Sequence, residues 1–368
     1  MPGRVLVTGG AGFIGRHVVQ CLKDNDYQPR VLDCFHSQVH GEAPVRDPAL
    51  ADVEVIEGNV QNLATVSAAL HGMDHVIHLA AEVGVGQSMY EISRYTAVND
   101  LGTAVLLQAL TDYPVQRFVV ASSMSVYGEG LYRDADGRLV EDARRTGRGE
   151  GWDPLDAAGR PLEPVPTPEW KRPSLTSVYA LNKYTQEQMA MIVAPAYGCE
   201  AVALRLFNVY GPGQALSNPY TGVLAIFASR ILNGRPPMIF EDGQQRRDFV
   251  HVEDVARAFV LALEKPEAAG QTLNIASGRS LSVQEVADGL LKAMGCETLV
   301  PEFNGKMRAG DIRHCIADIY KAQQVLGFQP RERLEDGLAA LADWVASQTA
   351  DDRVYQARDE LERRGLVL

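Results

Sequence analysis

Near its start the chain reads Arg4-Val5-Leu6-Val7-Thr8, then Gly9-Gly10-Ala11-Gly12-Phe13-Ile14-Gly15, and continues in a helical pattern through Lys23. No other stretch limits the fold as tightly. The short apolar run is a buried strand. Glycines at 9, 12 and 15 permit a tight turn, close approach of backbone to a pyrophosphate, and close packing of helix on strand. Their spacing is G-x-x-G-x-x-G, a variant of the more usual G-x-G-x-x-G. The free amides and positive dipole end of the following helix favour an anion. A second strand, Arg30-Val31-Leu32-Asp33, ends in an acid about 20 residues further on, placed to accept ribose hydroxyls and to repel a 2′-phosphate. The pattern predicts a site for NAD rather than NADP around Gly9, Gly12, Phe13, Ile14, Gly15 and Asp33. A glycine-rich turn that only joins a strand to a helix is the alternative, and the ordered strand, helix, strand and acid argue against it.

Apolar strands then alternate with helical patterns over residues 53–57, 63–70, 75–79, 99–110 and 118–122. This predicts an α/β fold, a Rossmann-type doubly wound parallel sheet with right-handed crossovers. After Pro212 the order changes, with helices expected around 224–233, 253–263, 283–294 and 334–347 and a strand at 238–240. These pieces are expected to form a smaller C-terminal substrate domain. The expected division is 1–206 with 247–276 for the NAD-binding domain, and 207–246 with 277–368 for the substrate domain. At 368 residues and 46% hydrophobic content the chain can bury both cores. Pro195 is expected to end early the helix that begins near residue 178.

The formal charge of −12 argues against a nucleic-acid or anionic-membrane partner, so any positive groups for a phosphate must be local. The first strand begins by Arg4, which leaves no room for a signal peptide, and no apolar run approaches the roughly 18 residues that span a bilayer. A soluble, cytoplasmic protein is expected. Cys21, Cys34, Cys199, Cys296 and Cys315 are odd in number and scattered, which predicts free thiols. No metal is expected either, since His36 and His40 lack an acidic or cysteine companion.

Tyr179 and Lys183 stand four apart in a helical stretch, which sets phenol and ammonium on one face, one turn apart. A phenol with a free pKa near roughly 10 is a poor base at neutral pH, but a nearby cation favours the phenolate, and oxidised nicotinamide would add a second positive charge. Many helices carry such a pair as a plain surface contact, so its meaning depends on its company. Ser122-Ser123-Met124-Ser125-Val126-Tyr127-Gly128 follows directly on the apolar Phe118-Val119-Val120-Ala121. That is the C-terminal end of a parallel strand, where open α/β sheets bind ligands. A serine there can hydrogen-bond a substrate hydroxyl that Tyr179 deprotonates. Alternatively, the serines only satisfy local backbone groups.

Glycine turn, strand-end serine and Y-x-x-x-K in this order resemble the extended short-chain dehydrogenase/reductase family, in its nucleotide-sugar epimerase/dehydratase branch, over most of the chain. The resemblance implies that Ser123, Tyr179 and Lys183 are catalytic. It implies that Asn59, where relatives usually have Asp, and Val60 touch adenine, and that Leu79, Ala80, Ala81 and Asn99 lie beside the cofactor. Within Arg205-Leu206-Phe207-Asn208-Val209-Tyr210-Gly211-Pro212 it implies that Asn208 binds the sugar-nucleotide diphosphate. Arg247 and Arg308 are implied as its guanidinium partners, with Glu82, Ser123 and Ser125 near the sugar. The implied reaction has Tyr179 taking the O4 proton as hydride passes from C4 to NAD, followed by return of hydride to the opposite face of the 4-keto sugar. Lys183 would keep Tyr179 ionised and hold the nicotinamide ribose. Sugar 4,6-dehydratases of the family carry Asp and Glu where this chain has Met124 and Ser125, so 4-epimerisation is expected instead.

Between the serine strand and the catalytic helix lies a long polar segment, 129–173, expected to be either a substrate cover or a solvated excursion. With its ending Leu162-Glu163-Pro164-Val165-Pro166-Thr167-Pro168-Glu169, it resembles the insertion of dTDP-L-rhamnose 4-epimerases that make dTDP-6-deoxy-L-talose. A UDP-hexose or UDP-uronate 4-epimerase and a nucleotide-sugar 4-ketoreductase or decarboxylating enzyme are the alternatives. A non-enzymatic NAD sensor is a remote one, because such proteins tend to lose the Tyr/Lys pair. The family commonly dimerises through two helices per subunit, here those around 99–110 and 178–191, so a homodimer is expected.

Overall fold

The computed structural model describes residues 3–41, 47–145 and 151–367. Its centre is a seven-stranded sheet: β1 (Arg4–Thr8), β2 (Gln28–Asp33), β3 (Glu54–Glu57), β4 (His75–His78), β5 (Arg117–Ser123), β6 (Glu200–Leu206) and β7 (Thr272–Ile275). The spatial order is β3-β2-β1-β4-β5-β6-β7, and every pairing is parallel. The chain winds from β1 toward one edge and then, from β4, toward the other. A crevice therefore opens between β1 and β4, outside the carboxyl ends of the strands.

Side-chain alternation along the strands divides the core. Val5, Val7, Val31, Ile77 and Val119 face one side, where they pack with Val18 and Leu22 of α1 (Phe13–Asp24). Leu6, Leu32, Val76, Phe118 and Val120 face the other, against Val66 of α2 (Leu63–Leu70), Leu106 of α3 (Gly102–Ala109) and Ala190 of α4 (Val178–Ala196). Both faces are covered, which is why these strands read as continuous apolar runs. α5 (Val252–Glu264) joins α1 on the first face through Val255 and Phe259. The later helices gather off the sheet around their own apolar core, with Phe227 (Val223–Leu232), Leu290 (Val283–Ala293) and Leu341 (Leu334–Ala346) in contact. Among the described residues no helix is long and apolar enough to cross a membrane.

Two expectations change. Pro195 lies inside α4, which continues to Ala196. In a last turn a proline forfeits only one donor, and the end is closed by Tyr197 and Cys199 amides on the Ala194 carbonyl at 3.1 and 3.0 Å before Gly198 turns the chain at φ 75°. The described part of 129–173, which excludes 146–150, is not a bare loop. Leu131–Arg133 is the middle strand of an antiparallel sheet with Leu139–Val140 and Glu163–Val165, and Tyr132 is fully buried beneath it. Its far end is tied down by Lys171, whose Nζ donates to the Tyr127 carbonyl at 2.7 Å, and by Glu169, which accepts the Asn274 amide at 2.8 Å.

Candidate active site

A cavity of about 720 Å³ follows the carboxyl ends of the strands and is lined by Gly9, Gly12, Phe13, Ile14 and Gly15 from the turn, with Asp33, Asn59 and Val60 beyond. Leu79, Ala80 and Ala81 form its opposite edge. The turn has no space for side chains: a Cβ on Gly15 would sit 2.3 Å from the Gly9 carbonyl oxygen, and Gly9 itself has φ 71° with the Ala80 amide 2.8 Å from where a Cβ would be. Asp33 is held by the amides of Ala11 (3.0 Å) and Phe35 (2.9 Å), one on each oxygen, which leaves lone pairs for a ribose. These features fit NAD. Asn99 does not line the cavity. It is buried on a π-helical turn (Ala97–Leu101), where it accepts the Glu82 amide at 2.7 Å and donates to the Glu82 carbonyl at 3.1 Å, so it sets the course of the chain at the rim.

A second cavity, about 340 Å³, adjoins the first, and Ser123, Tyr179, Phe207 and Asn208 belong to both. Ser125, Arg247 and Arg308 line the second one, whereas Glu82 lines the first, 3.4 Å from Arg94. The Arg247 guanidinium donates to the carbonyls of Ile312 (2.5 Å), Arg313 (2.8 Å) and Arg246 (2.9 Å), and burial pulls its pKa down. A cation held by neutral carbonyls keeps its attraction for an anionic ligand. Arg308 lies 4.5 Å over the Phe240 ring, with Nε on Asp311 at 2.7 Å. Asn208 donates to the Asp248 carbonyl at 2.9 Å.

The catalytic candidates meet at the shared wall. Ser177 caps α4 by accepting the Ala180 amide at 3.1 Å, which starts the helix at Val178, one residue before Tyr179. Burial raises the Tyr179 pKa, and a hydrogen bond with Ser123 opposes the rise. Lys183 is buried one turn on, and desolvation lowers its pKa to about 7, with the carboxylates of Glu187 and Asp100 pulling it back up. Its Nζ donates to Gln186 Oε1 at 2.7 Å.

From there a polar chain crosses the sheet. Gln186 Nε2 donates to Thr103 Oγ1 (2.7 Å), and Thr103 gives its own proton to the Asn99 carbonyl (2.6 Å). His78 Nε2 is 2.9 Å from the same hydroxyl and must be the donor, while Nδ1 accepts from Thr8 at 2.6 Å. Burial and the nearby Lys183 push His78 down to about 3, so the ring is neutral. Behind Lys183, fully buried Glu187 grips Arg205 through two bonds of 2.9 and 2.7 Å and accepts from Ser122 at 2.6 Å. The sequence reading missed Gln186 and Glu187. Their positions three and four after Lys183 put them on its helix face and were the available signal.

Among the described residues none in 129–173 lines either cavity; the wall of the second is completed instead by Val354–Arg363, a helix the sequence reading did not anticipate. The group His251, Glu253 and Glu332 is close enough to suggest a metal, but it sits at the N-terminus of α5, whose positive end disfavours a cation.

The sequence matches the family model described as NAD dependent epimerase/dehydratase family over residues 5–147 and 156–276. It is 36% identical over 355 residues to dTDP-L-rhamnose 4-epimerase of Burkholderia thailandensis, covering 94% of this chain and 95% of that protein. The structure resembles UDP-N-acetylglucosamine 4-epimerase from Methanobrevibacter ruminantium in complex with UDP-N-acetylmuramic acid, with a TM-score of 0.78 and 29% identity over 95% of this chain and 99% of the other. It also resembles the Thermus thermophilus UDP-glucose 4-epimerase complex with NAD, with a TM-score of 0.75 and 28% identity over 94% and 100% of the two chains. With its glycine turn, its Asp33 and its paired cavities meeting at Tyr179, the chain belongs to the NAD dependent epimerase/dehydratase family, as a NAD-using sugar-nucleotide epimerase.

Proposed function

We propose that this enzyme inverts C4 of dTDP-L-rhamnose to give dTDP-6-deoxy-L-talose, with Ser123, Tyr179 and Lys183 as the catalytic residues. The observation that carries the reading is the meeting of the two cavities at Ser123 and Tyr179. A nucleotide sugar anchored through its diphosphate by Arg247, Arg308 and Asn208 brings its hexose to the phenol. Bound NAD supplies a reversible acceptor for hydride from C4. Tyr179 takes the O4 proton, Ser123 holds O4 by a hydrogen bond, and Lys183 lowers the cost of the phenolate. Gly9, Gly12, Phe13, Ile14, Gly15 and Asp33 hold the adenosine and pyrophosphate end of the cofactor. Asn59, Val60 and Leu79 to Ala81 flank it.

Val83, Met124 and Phe207 beside the shared wall give an apolar surface that suits the C6 methyl of a 6-deoxy sugar, and Met124 and Ser125 offer no acid to expel water. The likeness to the Burkholderia enzyme supports the same substrate. A homodimer is favoured by exposed apolar side chains just before α3 and along α4, Leu101 at 52%, Leu181 at 47% and Ile192 at 68% exposure.

The test is incubation with dTDP-L-rhamnose and catalytic NAD, following the sugar C4 proton by NMR. Inverted coupling at C4 without accumulating NADH is expected, and Tyr179→Phe should abolish it while retaining NAD. Conversion of UDP-glucose or UDP-glucuronate instead would overturn the sugar assignment. Stoichiometric NADH would overturn epimerisation.

A further inference from the structure

We propose that the C-terminal helix Val354–Arg363 is a wall of the nucleotide-sugar site and that Arg358 is a third guanidinium for the substrate diphosphate, an inference that rests on the nucleotide-sugar reading above. Val354, Ala357, Arg358 and Leu361 line the second cavity. Their spacing is i, i+3, i+4, i+7, so a single stripe of this helix faces the cavity. Three of the four are apolar, and the exception is an arginine.

The helix is clamped at both ends. Ahead of it, Arg230, fully buried, lies 3.5 Å from Asp352 and 4.9 Å over the Tyr355 ring, and Asn233 donates to the Ala350 carbonyl at 2.9 Å. Behind it, the Ala309 amide donates to the Leu366 carbonyl at 2.8 Å, and Val367 bridges antiparallel to Arg308. Leu361 rests on Gly86, where a Cβ would lie 3.5 Å from both of its methyls, and Arg364 covers the Tyr90 ring at 4.3 Å. The tail thus runs from the later helices across the cavity to the segment after β4, and it bridges to the segment that carries Arg308.

Arg358 is half-buried, and its Nε is buried without a hydrogen-bond partner among the described residues. Its nearest acids are Asp359 at 3.0 Å and Glu362 at 3.7 Å, both on its own helix. The acids among the cavity's lining residues are already engaged: Glu241 by Arg145 and Arg313, and Asp311 by Arg308. In a chain of net charge −12, three arginines on one small cavity form a local anion site.

Binding of dTDP and UDP to the NAD-loaded full-length protein, read by calorimetry alongside uridine and thymidine, tests this. Arg358→Ala should weaken both diphosphates about tenfold or more and leave the nucleosides and NAD unaffected; Arg358→Lys should recover part of the loss. Unchanged NAD affinity certifies the fold of each variant. Diphosphate affinity unchanged in Arg358→Ala, with wild type binding well, would overturn the role of Arg358 while leaving the nucleotide-sugar reading in place. An equal loss for nucleosides would overturn the assignment to the diphosphate. Failure of the wild-type protein to bind either diphosphate would overturn both.

Discussion

Replacing Glu187 with Gln should cost both stability and the state of Lys183, and the two losses can be separated. Glu187 is fully buried, and its carboxylate is the only countercharge that the described structure gives Arg205, which itself is 5% exposed. The amide keeps the shape but removes the charge and turns one acceptor into a donor facing either the guanidinium or the Ser122 hydroxyl. Breaking one side of a buried pair leaves an uncompensated charge, at a cost of about 3–5 kcal/mol. An unfolding entropy of about 2.1 cal/mol/K per residue over 368 residues gives roughly 0.8 kcal/mol/K, so Tm should fall by roughly 4–6 °C in a cooperative melt. Glu187 also offsets the desolvation that brings Lys183 to about 7, so its neutralisation should drop that pKa further. Epimerase turnover should then fall more at pH 8 than at pH 6, relative to wild type. Scanning calorimetry and a pH–rate profile from 6 to 9 provide the two readouts. A Tm within 1 °C of wild type, or a loss of activity uniform across pH, would refute the corresponding half of the reasoning.

Three further predictions follow from the same geometry. Gly15→Ala would press a methyl against the fixed backbone carbonyl of Gly9 at 2.3 Å, so NAD affinity should fall by at least about a hundredfold, measurable by titration of the NAD-free protein. Lys183 has a folded pKa of about 7, below its ordinary 10.5, so between those values the unfolded chain binds the extra proton; its unfavourable contribution is full below about pH 7 and fades as pH rises toward 10.5. Lys183→Met should therefore flatten the rise of NAD-free stability over that window, and an unaltered denaturation slope would contradict it. Arg145→Met removes contacts to Glu129 (3.2 Å), Glu241 (2.5 Å) and the Asp311 carbonyl (2.6 Å), next to the Ile312 and Arg313 carbonyls that hold Arg247. It should cost about 1–3 kcal/mol of stability and raise KM for the nucleotide sugar several-fold with NAD affinity intact, as steady-state kinetics would show.

The sequence by itself determined the parts that rest on local spacing. The glycine turn, Asp33 at a strand end, the serines at the end of β5 and the Tyr179/Lys183 pair each lie within one strand, turn or helix. There a period of two or of 3.6 fixes which side chains share a face. The alternation of apolar runs with amphipathic stretches likewise predicted the parallel sheet, since strands covered on both faces must be apolar throughout. Tertiary structure alone decided what depends on distant partners. Arg205 of β6 meets Glu187 of α4 and Tyr127 of the turn after β5, and Asn99 turns to the Glu82 peptide rather than to the cavity. Described parts of 129–173 formed a small antiparallel sheet fastened to residues near 313, and the helix at 354–363 became a cavity wall. A polar stretch has no periodicity that names its partner. Its hydrogen bonds and ion pairs are chosen only when the sheet has closed and brought the far ends of the chain together.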